Sequence, residues 1–425
     1  MLRWGRSLAV ALATAVAFAA ATLGVGMVSR RFPSLKALTD GVIAASGIVP
    51  KAPACPAAAV DPTRSDDPRP LLPTRLVAAV GVPMSIYFDN LVLMHDPDSV
   101  RIEIDAGTLV GEVQRRRWVL TPKAGDVGRH GLKVTVRDWA GHTLATAEAA
   151  LDVVQPRPIG FDKNLLLVGD SITHQNIYPN DLLSIFEEWS PGNVHFVGTH
   201  SPVSDLSIYR DAAPGMHHEG YGGWSWGLFV SHYKPGEEKF YKRTASPFVF
   251  VEDGVPKLDV PRYLRESLKV ERVDAGVFLL GLNETFGANP DDPASLDAAI
   301  STSLSNAEVL VRAFRQADPK ATLFVALPAP FTRSDATFRY KYASIKPEFG
   351  DAWRHRRIQH AYARALMDRF ERLGIGRVVV VASHLGLDIV DGYWIDDAGH
   401  PNELGGRELA ESIAPYVLEA FVVRE

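Results

Sequence analysis

Three short stretches carry residue types able to act on one another. In the first, Leu165-Leu166-Leu167-Val168-Gly169-Asp170-Ser171-Ile172, an apolar run leads straight into a glycine, an aspartate and a serine. A hydroxyl placed there is a candidate nucleophile once a base can take its proton. The same Asp170-Ser171 pair can equally serve only to cap the helix that follows. In the second, Gly281-Leu282-Asn283-Glu284 follows the apolar run Val277–Leu280 and offers the Asn283 amide as a hydrogen-bond donor; standing alone it reads as an ordinary strand-to-loop turn. The third, Asp396-Asp397-Ala398-Gly399-His400-Pro401-Asn402, sets a carboxylate three residues before an imidazole. One tight turn would let Asp397 orient the His400 ring and stabilise it once protonated, although a lone Asp-x-x-His usually marks a solvated turn.

The elements that must position these residues show two rhythms. From about Lys163 onward, short apolar runs (Leu165–Val168, Val194–Val197, Val277–Leu280, Thr322–Ala326, Val378–Val381) alternate with helical patterns at Asp181–Trp189, Ser295–Gln316, Arg354–Leu373 and Glu403–Phe421. Continuous apolar strands separated by helices predict an α/β fold, a parallel sheet covered on both faces. In such a sheet, ligands bind beyond the carboxyl ends of the strands, where Ser171 and Asn283 fall. Ahead of it, Ser85–Phe88, Val100–Ile104, Trp118–Leu120, Leu132–Val136 and Thr143–Val153 read as strands, the last two flanking a compact turn at Asp138–Gly141. This predicts a small all-β sandwich over residues 77–155, joined through Gln155–Gly160 to an α/β domain over residues 160–425.

Residues 1–31 and 32–76 differ from both. Arg3 and Arg6 precede an uncharged apolar run, Ser7–Val28, that stops at Arg30 and Arg31. It is read as a secretory signal, with Ala17-Phe18-Ala19 as a candidate cleavage site, or as an uncleaved membrane anchor, and either places the rest of the chain outside the cytoplasm. Pro50, Pro53, Pro56, Pro62, Pro68 and Pro70 then make residues 32–76 a Pro/Ala-rich spacer. Within it lies the single cysteine, Cys55, which excludes an internal disulfide and a multi-thiolate metal site. A formal charge of -5 over 425 residues shows no basic excess for nucleic acid.

Taken together, the three stretches resemble the sequence blocks of the SGNH, or GDSL-like, hydrolases, in order and spacing over roughly residues 163–423. Gly169-Asp170-Ser171-Ile172-Thr173 resembles the nucleophile block, Gly281-Leu282-Asn283-Glu284 the third block, and Asp397 to Asn402 followed by Gly405 the last. The glycine block is placed in His218-Glu219-Gly220-Tyr221-Gly222-Gly223-Trp224, similar to members acting on acetylated polysaccharides. Glu284, where aspartate is commoner, is the one departure. The resemblance implies a three-layer, flavodoxin-like sheet and a serine ester hydrolase, with Ser171 as nucleophile, His400 as base and Asp397 as its orienting carboxylate. It further implies an oxyanion hole from Gly223 and Asn283, no cofactor and no metal. The implied substrate is an acyl ester, first an O-acetyl group on a carbohydrate. Transfer of the acyl group to an extracytoplasmic glycan, and a non-catalytic surface-binding module, are the alternatives.

Two further features compete for attention. Gly223-Trp224-Ser225-Trp226-Gly227 matches Gly-x-Ser-x-Gly, yet no apolar strand precedes it as a nucleophile elbow requires. Its two tryptophans are expected to face a sugar or pack. His217, His218 and Glu219 include zinc-ligand types, but loop structure is the simpler expectation. Arg115, Arg116 and Arg117 are expected at a solvated edge of the β-module.

Overall fold

A computed structural model describes residues 66–203, 208–235 and 245–422. The apolar run Ser7–Val28 with its candidate cleavage site, most of the proline-rich spacer and Cys55 lie outside the described residues. Among the described residues no helix is long and apolar enough to cross a membrane.

The first part is built from β1 (Arg75–Ala79), β2 (Met84–Tyr87), β3 (Arg101–Asp105), β4 (Glu112–Val113), β5 (Arg117–Leu120), β6 (Gly128–Arg137) and β7 (Thr143–Val154). One sheet runs β1-β7-β6-β3 and another β2-β5-β4. Alternation along β6 buries Leu132, Val134 and Val136, which share a core with Ile86 and Trp118 of the other sheet. The β6–β7 turn closes where expected, with Asp138 N–H donating to His142 O at 3.0 Å.

Strand β1 escaped the sequence reading because it does not alternate. Leu76 and Ala78 enter this β core, while Val77 and Ala79 enter the core of the α/β part beside Tyr416 and Val417. A strand covered on both faces has no polar side to display. The arginine run also departs from expectation. Arg115 is exposed, but Arg116 pairs with Asp388, and Arg117 donates to Tyr87 Oη at 2.7 Å, which itself donates to Glu408 at 2.8 Å. Two of the three arginines are thus held at the contact with the α/β part.

The α/β part contains β8 (Lys163–Gly169), β9 (Val194–Val197), β10 (Glu219–Gly220), β11 (Val249–Glu252), β12 (Val255–Leu258), β13 (Ala275–Leu279), β14 (Thr322–Ala326) and β15 (Val378–Val381). The main sheet runs β10-β8-β13-β14-β15, every pair parallel, with β9 pairing the first half of β8 and β10 its end. Successive residues of β8 serve opposite faces: Leu165 and Leu167 enter one core, Leu166 and Val168 the other. Helices α1 (Ile177–Trp189) and α4 (Glu403–Val422) cover the first face through Leu182, Phe186, Ile413 and Val417. Helices α2 (Pro293–Ala317) and α3 (Ala352–Arg372) cover the second through Leu310, Phe314, Tyr362 and Leu366. This is the three-layer α/β fold that the apolar runs and the SGNH resemblance imply. Helices α2 and α3 each start two residues earlier than the apolar pattern suggests, because Asp292 caps α2 and Asp351 caps α3 by accepting from backbone N–H groups.

Candidate active site

At the carboxyl edge of the sheet, β8 ends on Gly169, where a Cβ would fall 1.9 Å from Thr173 Oγ1. The missing side chain lets the chain turn at once into the short helix Ser171–His174. Asp170 caps that helix, its carboxylate accepting from Ile172 N–H at 3.0 Å. Cap and nucleophile candidate are therefore adjacent residues, and the cap is Asp170. Burial pushes the Asp170 carboxyl up to about 6, against the opposing Ile172 N–H and the charge of His400.

The glycine stretch leaves β10 directly beside β8. Tyr221 N–H donates to Gly169 O at 3.1 Å, and Trp224 N–H returns to Tyr221 O at 3.1 Å, closing a turn with Gly223 at φ +73°. Tyr221 and Trp224, both buried with ring centroids 4.9 Å apart, anchor the turn from below. Beyond β13, Gly281 adopts φ +117° against Tyr362, with no space for a Cβ. The turn that results presents Asn283, whose Nδ2 donates to Trp224 O at 2.8 Å. Glu284 accepts from Gly227 N–H at 3.2 Å, while its other carboxylate oxygen is buried without a partner. Burial raises the Glu284 carboxyl to about 7, the Gly227 N–H opposing.

The third stretch forms a ribbon rather than a bare turn: β16 (Tyr393–Trp394) pairs antiparallel with β17 (Asp397–Pro401). Asp397, 1 % exposed, accepts from His400 Nδ1 at 3.0 Å through one oxygen, and from the backbone N–H of Gly399 and His400 through the other. Lys341 Nζ lies 3.0 Å from the first of these oxygens. Burial works to raise the Asp397 carboxyl, but His400, Lys341 and the Gly399 N–H together hold it well below the usual carboxylate range. Burial likewise pulls His400 down, yet the charge and hydrogen bond of Asp397 outweigh it and raise the imidazole above its ordinary value.

Ser171, Gly223, Asn283 and His400 line one cleft of about 450 Å³; Asp397 stands behind His400. The described side chains include no Ser171–His400 hydrogen bond, a contact that commonly tightens only as substrate binds. An imidazole oriented by a carboxylate, a serine at a helix start, and N–H donors from a glycine turn and an asparagine can together carry acyl transfer.

Sequence reasoning missed the cleft's other wall, built by Tyr209, Leu282, Phe286, Phe331, Tyr342 and Phe349. Three of these, with Lys341, come from the excursion between β14 and α3. Only the density of aromatic residues there signalled it, since their approach to His400 is set by the fold. Conversely, Trp224 and Trp226 are 1 % and 0 % exposed, so neither faces a sugar. Ser225 caps the helix Trp226–Ser231 by accepting from Leu228 N–H at 3.2 Å. His218 is buried, one ring nitrogen on Asn176 at 2.8 Å and the other accepting from Gly220 N–H at 2.9 Å. Glu219 accepts from Thr199 and from the Tyr221 and Tyr263 hydroxyls. Among the described residues no cluster of histidine, cysteine and carboxylate side chains is arranged to hold a metal.

Fold and site together define an open parallel α/β protein with serine, histidine and asparagine gathered at the carboxyl edge of its sheet. No family model matches the sequence, and no curated protein does. Among solved structures, the chain is similar to a carbohydrate esterase family 3 protein from Talaromyces cellulolyticus, at 17 % identity over 62 % of this chain and 100 % of that one, TM-score 0.39. It is similar to a family 3 carbohydrate esterase of Clostridium thermocellum, at 17 % identity over 62 % and 98 %, TM-score 0.37. An acetyl esterase variant with acetate ion aligns at 17 % identity over 62 % and 100 %, TM-score 0.38.

Proposed function

We propose that this protein is a serine ester hydrolase of the SGNH type, with Ser171 as nucleophile, His400 as base and Asp397 as the carboxylate that orients it. The observation that carries the reading is the 3.0 Å contact from His400 Nδ1 to Asp397, in a cleft that also holds Ser171, Gly223 and Asn283. With Nδ1 committed to Asp397, Nε2 is the nitrogen left to take a proton. Ser171 Oγ attacks the ester carbonyl carbon and passes its proton to His400 Nε2. The tetrahedral oxyanion accepts from the backbone N–H groups of Ser171 and Gly223 and from the second N–H of Asn283. The C–O bond to the alcohol then breaks, and His400 returns the proton to the departing oxygen. Water, deprotonated by the same nitrogen, releases the acid and restores Ser171.

An O-acetyl ester of a carbohydrate is the substrate class this reading puts first, on the similarity of residues 218–224 to polysaccharide-active members. The cleft supplies a consistent surface: apart from His400 and Asp170 its lining is uncharged, and Tyr342, Phe331 and Phe349 add aromatic side chains against which a neutral group can rest. The same reading takes Ser7–Val28 as the segment that exports or anchors the chain, and residues 77–155 as a β domain packed on the hydrolase domain.

The test is release of p-nitrophenol from the acetyl and octanoyl esters by the full chain and by Ser171→Ala. Hydrolysis that Ser171→Ala abolishes, faster on acetyl, supports both nucleophile and acyl group. A preference for octanoyl would remove the acetyl reading. An inert but folded wild type would move acyl transfer or binding ahead of hydrolysis.

A further inference from the structure

The carboxylate that orients His400 carries a second cation. Lys341 Nζ and His400 Nδ1 both lie 3.0 Å from Asp397 Oδ2, while Oδ1 is occupied by the N–H groups of Gly399 and His400. The Lys341 side chain is 38 % exposed and reaches inward to a carboxylate that is 1 % exposed, so one buried negative charge is divided between an imidazole and an ammonium. The contact is fixed from a neighbouring residue as well: a Cβ on Gly399 would fall 2.3 Å from Tyr342 Oη. The turn Arg339–Ala343 therefore touches the His400 ribbon at two consecutive residues.

A carboxylate beside an imidazole raises the ring's affinity for a proton, and a cation on the same oxygen withdraws part of that effect. The geometry points to Lys341 as a positioning residue that holds Asp397 and limits the basicity of His400, keeping the imidazole neutral and ready to accept a proton at lower pH. The inference rests on the reading of His400 as base. Charged and titratable groups facing the pair are Asp397 from the ribbon, Lys341 from the excursion and Asp170 from the end of β8. Tyr209 lies edge-on to His400 at 6.1 Å, and the buried hydroxyls of Tyr342 and Tyr393 feel the charge of Asp397. Lys341 is the cation in this set, and its attachment to a half-exposed surface turn allows exchange without opening the core. Burial and Lys341 oppose Asp397 in setting the His400 proton affinity, the direction the inference requires.

The experiment is an NMR titration of the His400 ring in the full chain, its signal identified by loss in His400→Gln, alongside the pH profile of kcat/KM on p-nitrophenyl acetate. In Lys341→Met and Lys341→Gln the ring midpoint and the acid limb should both move up by about one pH unit. Lys341→Arg should return both to the wild-type position. An unmoved or lowered midpoint in both neutral variants overturns the inference, as does an equal loss of activity at every pH with the midpoint unchanged. If wild type hydrolyses no ester, the esterase reading fails separately, and the ring midpoint still decides the role of Lys341.

Discussion

Asn283 donates its Nδ2–H to the carbonyl oxygen of Trp224 at 2.8 Å, tying the turn after β13 to the glycine turn beside β10. One amide hydrogen is spent on the protein and the other remains for the cleft. Asn283→Ala should lower kcat by about a hundredfold or more, with KM changed less, because an oxyanion donor acts mainly in the transition state. Asn283→Asp should fall as far, since a carboxylate repels the developing charge. Steady-state kinetics on p-nitrophenyl acetate decide it; a loss smaller than about tenfold would take Asn283 out of the oxyanion hole.

The two candidate serines should separate cleanly. Ser171→Ala is expected to reduce turnover by at least about ten-thousandfold without changing stability much. Ser225→Ala should keep turnover and lose about 1 kcal/mol of stability, the usual worth of a helix cap, because its Oγ accepts from Leu228 N–H. Denaturant unfolding and kinetics on both variants read the two effects, and activity lost at Ser225 alone would reverse the assignment.

The pH dependence follows from His400. Burial depresses its proton affinity, but Asp397 more than restores it, so the midpoint lies above 6.5. As the base must be neutral, kcat/KM should rise with pH through that midpoint and then level off. Asp397→Asn removes the charge and the orientation together. A loss of about ten-thousandfold and an acid limb moved to lower pH are expected. An acid limb left in place would mean that another group sets it.

Glu284 should govern stability at alkaline pH. Its folded value near 7 lies above the unfolded value near 4.5, so the stability it contributes is complete below about pH 4.5 and is lost as pH rises through 7. Glu284→Gln retains an acceptor for Gly227 N–H and cannot ionise. Its Tm should exceed that of wild type by a few degrees at pH 9 and match or fall below it at pH 5. Melting curves of both proteins at the two pH values are the check; an identical difference at each would show that ionisation at 284 is not the cause.

Much of the scaffold was legible in the chain because strands buried on both faces can only be apolar. Leu165–Val168, Val194–Val197, Thr322–Ala326 and Val378–Val381 all lie in the observed strands of the parallel sheet. Asp397 and His400 were legible for a local reason, three residues being close enough for a contact made within one ribbon. Of the two alternatives for Trp224 and Trp226, facing a sugar or packing, the fold takes the second, which an aromatic type alone does not decide: Trp224 packs on Tyr221 and Phe229, and Trp226 donates to Tyr362. Strand β1 was hidden by the opposite effect, a buried segment short enough to look like spacer.

By itself, then, the sequence determined the alternation of strand and helix, the three polar stretches at strand ends, and the spacing that pairs Asp397 with His400. Each depends on periodicity or on neighbours within a few residues, which the chain records directly. Tertiary structure alone decided that Lys341 rests on Asp397, that Phe286, Phe331, Tyr342 and Phe349 wall the cleft, and that Asn283 is held by Trp224. Two of these contacts join residues far apart in the chain, the ion pair of Lys341 with Asp397 across 56 positions and the hydrogen bond of Asn283 to Trp224 across 59. No local pattern encodes such a meeting, because it is set by how the strands order themselves in the sheet and by where the excursion after β14 packs.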